Sequence, residues 1–315
     1  MSKEYYKIRN YCRADFGNYL QLHMEVNRLD QSGRLISKQR LAEELGHPNF
    51  HPEKDLFVAE RGSRIIGYAG GFLEAALNRV ILECMIHPHH RKNGIATELI
   101  GRTLRHAEAA DIKVAQVYIA EENLPGKRLA LRLGFNFIRH FYGLKLNLND
   151  IQLPDIEPSE YVIRSLEPDE ADKLTYIQNR TFAAAWGFNP NTLDEIAYRI
   201  NLSSCSPGNV IMVYLKHQPI GYCWTRIFAD EGLAADGVTG EIHMLGVDPD
   251  YRGKGIGRDV LLAGLADLKS KGVSTVELTA DGEEPVALCL YESVGFERCS
   301  RNEWYEKKLT LNHHF

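Results

Sequence analysis

The chain is 315 residues long, 44% hydrophobic and 25% charged, and its 37 basic and 42 acidic residues leave a formal net charge of −5. That length allows about two domains of ~150 residues, each with its own core. The acidic balance argues against a nucleic-acid partner, and no run approaches the ~20 apolar residues that cross a bilayer, so neither nucleic acid nor membrane is expected. The opening "MSKEYYKIRNYC" lacks the apolar stretch of a leader. Cys12, Cys84, Cys205, Cys223, Cys289 and Cys299 lie far apart, which reads as free thiols in a reducing compartment and makes the cytoplasm the expected location.

In chain order, "YKIRNYC" opens on a short β-run and is followed by helical periodicity. "RIIGYAGG" and "RVILECMI" read as strands, "ATELIGRTLRHAEAAD" as a helix and "KVAQVYIA" as a strand. Residues 146–160, "LNLNDIQLPDIEPSE", are polar and carry Pro154 and Pro158, the marks of a linker. The order then starts again. "YVIR" is a strand, one helix carries Leu174 and Ile177, and a second carries Leu193, Ile196 and Ile200. "NVIMVYL" and "PIGYCWTRIF" make a hairpin, and "GEIHMLGV" is the next strand. "RDVLLAGLADLKSKG" is a helix with an apolar stripe of Val260, Leu261, Leu265 and Leu268, stopped at Gly272. The strand "VSTVELTA", the short helix "EPVALCLYESVG" and the strand "WYEKKL" complete it.

The restart is a repeat. "YKIRNYCRADFGNYLQL" lies over "YVIRSLEPDEADKLTYI", "RIIGYAGG" over "QPIGYCWT", "IHPHHRKNGIA" over "VDPDYRGKGIG", and "ALRLGFNFI" over "YESVGFERC". Four blocks in one order at nearly constant spacing imply two copies of one fold. The expected division is 1–150, a linker at 151–160, and 161–315. Extra residues in the second copy fall in "FADEGLAADGVTG", an acidic loop with Asp230, Glu231 and Asp236. The expected class is α/β (α+β), each copy a mixed, mostly antiparallel sheet flanked by helices.

Residues 248–261, "DPDYRGKGIGRDVL", sit where a strand gives way to a helix. The first turn of a helix leaves N–H groups unpaired, and its dipole favours an anion there. Glycines let those amides converge with no Cβ in the way. Gly253, Gly255, Gly257 and the amide of Ile256 are therefore candidate pyrophosphate ligands, with Arg252, Lys254 and Arg258 supplying charge. A Walker A loop needs GxxxxGK[ST], and a dinucleotide fingerprint needs glycine where Arg258 stands; neither fits. The same junction recurs in the first copy at Ile86 and at Arg91, Lys92, Asn93, Gly94, Ile95 and Ala96.

Both turns match the (Gln/Arg)-x-x-Gly-x-(Gly/Ala) signature of the GCN5-related N-acetyltransferase superfamily, which the chain resembles over nearly its whole length, twice. The resemblance implies that the turn holds the pyrophosphate of acetyl-coenzyme A. Family members also carry an asparagine, then a tyrosine, then Gly-Phe. The second copy keeps Tyr291, Gly295 and Phe296 but has Glu284 for the asparagine; the first keeps Asn123, Gly134 and Phe135 but has Ala130 for the tyrosine. The tandem order is similar to that of the mycothiol synthase group. That likeness implies Glu241 as general base, Tyr291 as general acid, and a first domain that binds acetyl-CoA without transferring the acetyl group.

The residues support the same chemistry. Acetyl transfer to an amine needs a base for the ammonium, donors for the oxyanion and a proton for the leaving thiolate. Regular alternation puts Glu241, His243 and Leu245 on one face at the mouth of the turn. Tyr291 can protonate a thiolate as a neutral phenol. Backbone amides at Leu245, Gly246 and Val247 are the candidate donors, and the strand edge there can pair with the pantetheine arm, Gly246 permitting close approach. In the first copy, at constant offset, Val80 and Ala130 take the two catalytic positions, and Glu83 faces away from Val80. "FAAAWGF" puts Phe182, Trp186 and Phe188 near an acceptor cleft. The histidines of "HPHH" (His87, His89 and His90) have no ligand partners at metal spacing, so no metal is expected; His313 and His314 read as a tail.

The expectation is an N-acetyltransferase that moves acetyl from acetyl-CoA to a primary amine of a small molecule. The alternatives are a protein or peptide N-acetyltransferase and a non-catalytic acyl-CoA-binding module. The expected assembly is a monomer with pseudo-dimeric copies, or a homodimer.

Overall fold

The computed structural model of the chain describes residues 6–30, 37–156, 160–228 and 238–309. The acidic loop with Asp230, Glu231 and Asp236, and the tail with His313 and His314, lie outside the described residues.

The first copy runs β1 (Lys7–Asn10), α1 (Phe16–Asp30), α2 (Lys38–Leu45), α3 (Pro52–Asp55), β2 (Leu56–Arg61), β3 (Arg64–Glu74), β4 (Arg79–Ile86), α4 (Ile95–Ala109), β5 (Val114–Ala120), α5 (Leu124–Arg132) and β6 (Asn136–Asn147). The second runs β7 (Val162–Ser165), α6 (Ala171–Phe182), α7 (Leu193–Arg199), β8 (Val210–Leu215), β9 (Gln218–Phe228), β10 (Val238–Val247), α8 (Ile256–Ser270), β11 (Val273–Asp281), α9 (Pro285–Val294) and β12 (Glu297–Lys308). Local chemistry sets the boundaries. Thr192 and Glu195 form a reciprocal capping box that opens α7. α8 buries Ile256, Val260, Leu261, Leu265 and Leu268 along one stripe, and Gly272 beyond it takes φ +80°.

The copies of the sequence and the compact units of the fold do not coincide. One unit is 1–139 with 302–315; the other is 140–301. The first sheet runs β1-β2-β3-β4-β5-β12 and the second β7-β8-β9-β10-β11-β6. β12 pairs with β5 from Asn302 to Lys308, and β6 pairs with β11 from Phe141 to Asn147. Each copy thus gives its last strand to the other unit. Leu144, Leu146 and Leu148, which belong to the first copy by sequence, are buried in the core of the second unit. Within each sheet one pair is parallel, β4 with β5 and β10 with β11; the rest are antiparallel.

The two units open on the same ion pair. Arg9 grips both oxygens of Asp15 at 2.6 and 2.8 Å, and Arg164 grips Glu170 at 2.7 and 2.6 Å. Arg9 beside it holds the Asp15 carboxyl down at about 2. A depressed carboxylate contributes stability above its ordinary range and loses it as pH falls towards the depressed value. Arg9→Ala is expected to cost about 2 kcal/mol at neutral pH. The difference from wild type should shrink as pH falls from about 4 to about 2. Thermal melts along that series check it; a difference that stays constant to pH 2 would contradict it.

Candidate functional site

At the β10–α8 junction the Asp248 carboxylate accepts from the Asp250 amide at 3.0 Å, and a 3-10 turn, Pro249–Tyr251, follows. Gly253 and Gly255 then take φ +76° and +84°. A Cβ at either would meet nothing within 4 Å, so backbone conformation rather than crowding requires glycine. The amides of Tyr251, Arg252, Arg258 and Asp259 find carbonyls of the turn. Those of Gly253, Lys254, Gly255, Ile256 and Gly257 have no acceptor among the described residues, and they cluster at the positive end of a 15-residue helix. This is an anion seat made of backbone.

The cations beside it are partly committed elsewhere. Arg252 donates from Nε to the Val247 carbonyl (3.1 Å) and from Nη2 to the Thr181 carbonyl (2.8 Å), so it ties the strand end to α6. Arg258 donates to Ser293 Oγ at 3.0 Å. The Lys254 ammonium stands 5.2 Å from the centre of the Tyr251 ring. The Ile256 side chain is buried in the core, leaving its amide at the turn.

The first unit builds the same turn from different residues. His87 Nδ1 accepts from the His89 amide at 3.3 Å, Lys92 takes φ +65° where the other turn has Gly253, and Gly94 takes φ +82°. A left-handed lysine costs roughly 1–2 kcal/mol, a cost the glycine avoids. Arg91 donates from Nε to the Ile86 carbonyl (3.0 Å), as Arg252 does to Val247, and pairs with Asp30 (3.0 Å). Asn93 Nδ2 reaches the His90 carbonyl at 3.4 Å, Ile95 is buried, and Ala96 lies in the first turn of α4. Asn123 caps α5 by accepting from the Gly126 amide at 3.0 Å; Glu284 occupies the corresponding cap position of α9 with no side-chain cap bond.

Beyond the turn, the parallel strands part. β10 pairs with β11 from Val238 to Glu241 and no further, while β11 continues along β6 to Asp281. From Ile242 to Val247 the edge of β10 that faced β11 is therefore unpaired, a slot ending at the anion seat. β4 and β5 part likewise after Leu82.

The regular alternation expected of β10 does not hold. The register against β9 slips between Ile242 and Met244, so His243 is an extra residue in a β-bulge. Ile242, Leu245 and Val247 pack on the α8 side. Met244 packs with the α6 and α7 residues, and Gly246 faces Thr181 of α6. Glu241, between Gly240 and Ile242, points to the α6–α7 side, and Leu245 does not share its face. β4 has no bulge. Its counterpart of Glu241, by register against β3, is consequently Ile81 and not Val80; neither can move a proton. Glu83 shares the face of Ile81.

Gly246 also has a different reason from the one expected. Its Cβ would stand 2.5 Å from Thr181 Cγ2 and 2.9 Å from Tyr222 Cε1, so the glycine is required for protein packing on β10. Phe182 and Phe188 pack on each other (5.6 Å), and Trp186 packs on Phe141 (6.2 Å). His243 lies edge-on to Trp224 at 5.0 Å, and burial pushes its imidazole well below its ordinary pKa, keeping it neutral. Tyr291 on α9 is buried, edge-on to Phe296 at 5.9 Å, and burial pushes its phenol far above its usual range. Sequence reasoning missed Arg226 and Glu277, which stand opposite Glu241 on β9 and β11. Arg226 comes opposite Glu241 through the regular β9–β10 pairing on the near side of the bulge, a register that the sequence does not spell out. Among the described residues no group of three His, Cys, Asp or Glu side chains is placed to hold a metal ion, and no helix is long and apolar enough to cross a membrane.

An anion seat at the mouth of a slot between parting strands, built twice in one chain, defines an acyl-coenzyme A-binding fold. The profile of the acetyltransferase (GNAT) family matches residues 20–135 and again residues 171–296; the chain belongs to the acetyltransferase (GNAT) family. It is 31% identical over 228 residues to a protein named mycothiol acetyltransferase from Thermobispora bispora, covering 71% of this chain and 75% of the relative. A relative of the same name from Stackebrandtia nassauensis is 28% identical over 269 residues, 84% and 86% of the two chains. A solved GCN5-related N-acetyltransferase from Sphaerobacter thermophilus superposes with a TM-score of 0.74 at 19% identity, covering 96% of this chain and 95% of that one. The protein is accordingly an acetyltransferase with tandem GNAT domains that uses acetyl-CoA as cosubstrate.

Proposed function

We propose that the chain transfers acetyl from acetyl-CoA to the primary amine of a small molecule in a direct ternary complex, and that the second unit does so while the first binds acetyl-CoA or serves the fold. The observation that carries the assignment is the bulge at His243. It lies beside the open slot in the second unit alone, next to Glu241, while β4 is regular and has Ile81 at the matching position.

The pyrophosphate lies on the amides of 253–257, with the pantetheine arm along the unpaired edge of Leu245, Gly246 and Val247. Glu241 takes the proton from the ammonium, directly or through water. The free amine attacks the thioester carbonyl, and the oxyanion is met by backbone N–H groups of the strand beyond the bulge. When the carbon–sulfur bond breaks, Tyr291, kept a neutral phenol by burial, gives its proton to the thiolate. The proton still on the attacking nitrogen restores the Tyr291 phenol, directly or through water, and Glu241 passes its own to solvent; the products are the amide and free coenzyme A. Arg252, by fixing the Val247 and Thr181 carbonyls, positions the end of the slot.

The name of the relatives, mycothiol acetyltransferase, makes a mycothiol-type amine the first acceptor to try. The test is release of free thiol from acetyl-CoA across amino sugars, cysteine conjugates, polyamines and peptide N-termini. Thiol release with a small amine supports the reading; release with peptides alone, or with none, overturns it.

A further inference from the structure

The two units carry the same tyrosine with opposite fates. Tyr68 on β3 lies opposite Met85, and Tyr222 on β9 lies opposite Gly246, at matching register positions. In the first unit the Tyr68 hydroxyl donates to Glu83 at 2.5 Å. The residue of β10 in register with Glu83 is Met244, whose thioether is at best a weak acceptor. The Tyr222 hydroxyl, on a side chain with no exposed surface, accordingly has no partner among the described residues. A buried hydroxyl with no hydrogen bond is costly, and phenylalanine would fill the same space without it.

The ring also has a specific neighbour. Its Cε1 edge lies 2.9 Å from where a Gly246 Cβ would be, so the glycine leaves room for the ring against β10 within the stretch whose other edge is unpaired. Burial pushes the Tyr222 phenol well above its usual range, and a charge on Tyr291 would push it further the same way. Met85 in the first unit offers no such room.

We infer that the Tyr222 hydroxyl donates a hydrogen bond to the acyl group of the bound acyl-coenzyme A, as a second phenol of the reaction centre beside Tyr291. This rests on the proposed function of the second unit. It makes Tyr222 a residue that distinguishes acetyl-CoA from free coenzyme A, a distinction the backbone seat for the pyrophosphate cannot make.

The test compares Tyr222→Phe with its parent, both in a Gly94→Val background that disables the turn of the first unit. Affinities for acetyl-CoA and for coenzyme A are measured by calorimetry, with melting temperatures alongside. Tyr222→Phe should weaken acetyl-CoA about five- to tenfold, leave coenzyme A unchanged, and melt no lower than its parent. Tyr68→Phe, which removes a satisfied hydroxyl, should lower the melting temperature and leave the acetyl preference as it was. An unchanged preference in Tyr222→Phe overturns the inference while the function stands, and a fall in melting temperature with it assigns the hydroxyl to a structural water. A parent that binds neither compound overturns the function and the inference together.

Discussion

Glu241→Gln is expected to lower kcat about 100- to 10,000-fold while the affinity for acetyl-CoA stays within about twofold. The amide keeps the size of the carboxylate and its place opposite Arg226 and Glu277 but cannot take a proton. The anion seat at 253–257 lies beyond the bulge and past the end of β10 at Val247, and glutamine at 241 leaves it untouched. Steady-state rates with saturating acetyl-CoA, together with a direct binding measurement, separate the two effects. Loss of binding in proportion to rate would mean that Glu241 holds the slot open and does not serve as the base.

The second large effect is on folding. Chains ending at 150 or starting at 161, the natural cut from the repeat, are expected not to fold when produced apart. The fragment 161–315 lacks the strand that pairs with β11 from Phe141 to Asn147, and with it Leu144, Leu146 and Leu148 of its own core. Three buried leucines are worth about 5–9 kcal/mol of burial, against a total stability of about 5–15 kcal/mol for an ordinary domain. The fragment 1–150 likewise loses the pairing of β5 with Asn302–Lys308 and the buried Tyr305 and Leu309. Producing the two fragments together should restore soluble, cooperatively melting material. A cooperative melt from 161–315 alone would show that the exchanged strands are dispensable.

Much of the chemistry was legible in residues whose types leave little choice. Gly253 and Gly255 announce a turn that needs left-handed backbone, and its echo at Gly94 names the junction twice. The stripe of α8 and its stop at Gly272 follow from spacing and φ alone. Other features live in pairing, which a single chain does not spell out. "EIHML" reads as regular alternation because a bulge adds a residue without changing its neighbours, and that one residue moved the first-copy counterpart of Glu241 from Val80 to Ile81. The strand exchange is silent for a similar reason. "FYGLKLN" has the same alternation whichever sheet edge it meets, and only the register with β11 says which. In sequence Gly246 offers only room for a ligand; its neighbours Thr181 and Tyr222, distant in sequence, give it another cause.

The claim that catalysis belongs to the second unit is tested most directly by a matched pair of variants, Gly255→Val and Gly94→Val. Each puts a β-branched side chain where φ is +84° or +82° and spoils one turn. The measurement is the rate of thiol release from acetyl-CoA in the presence of an accepted amine. Gly255→Val should abolish turnover and Gly94→Val should leave most of it. Loss of turnover in Gly94→Val, with Gly255→Val and Glu241→Gln still active, would contradict the account.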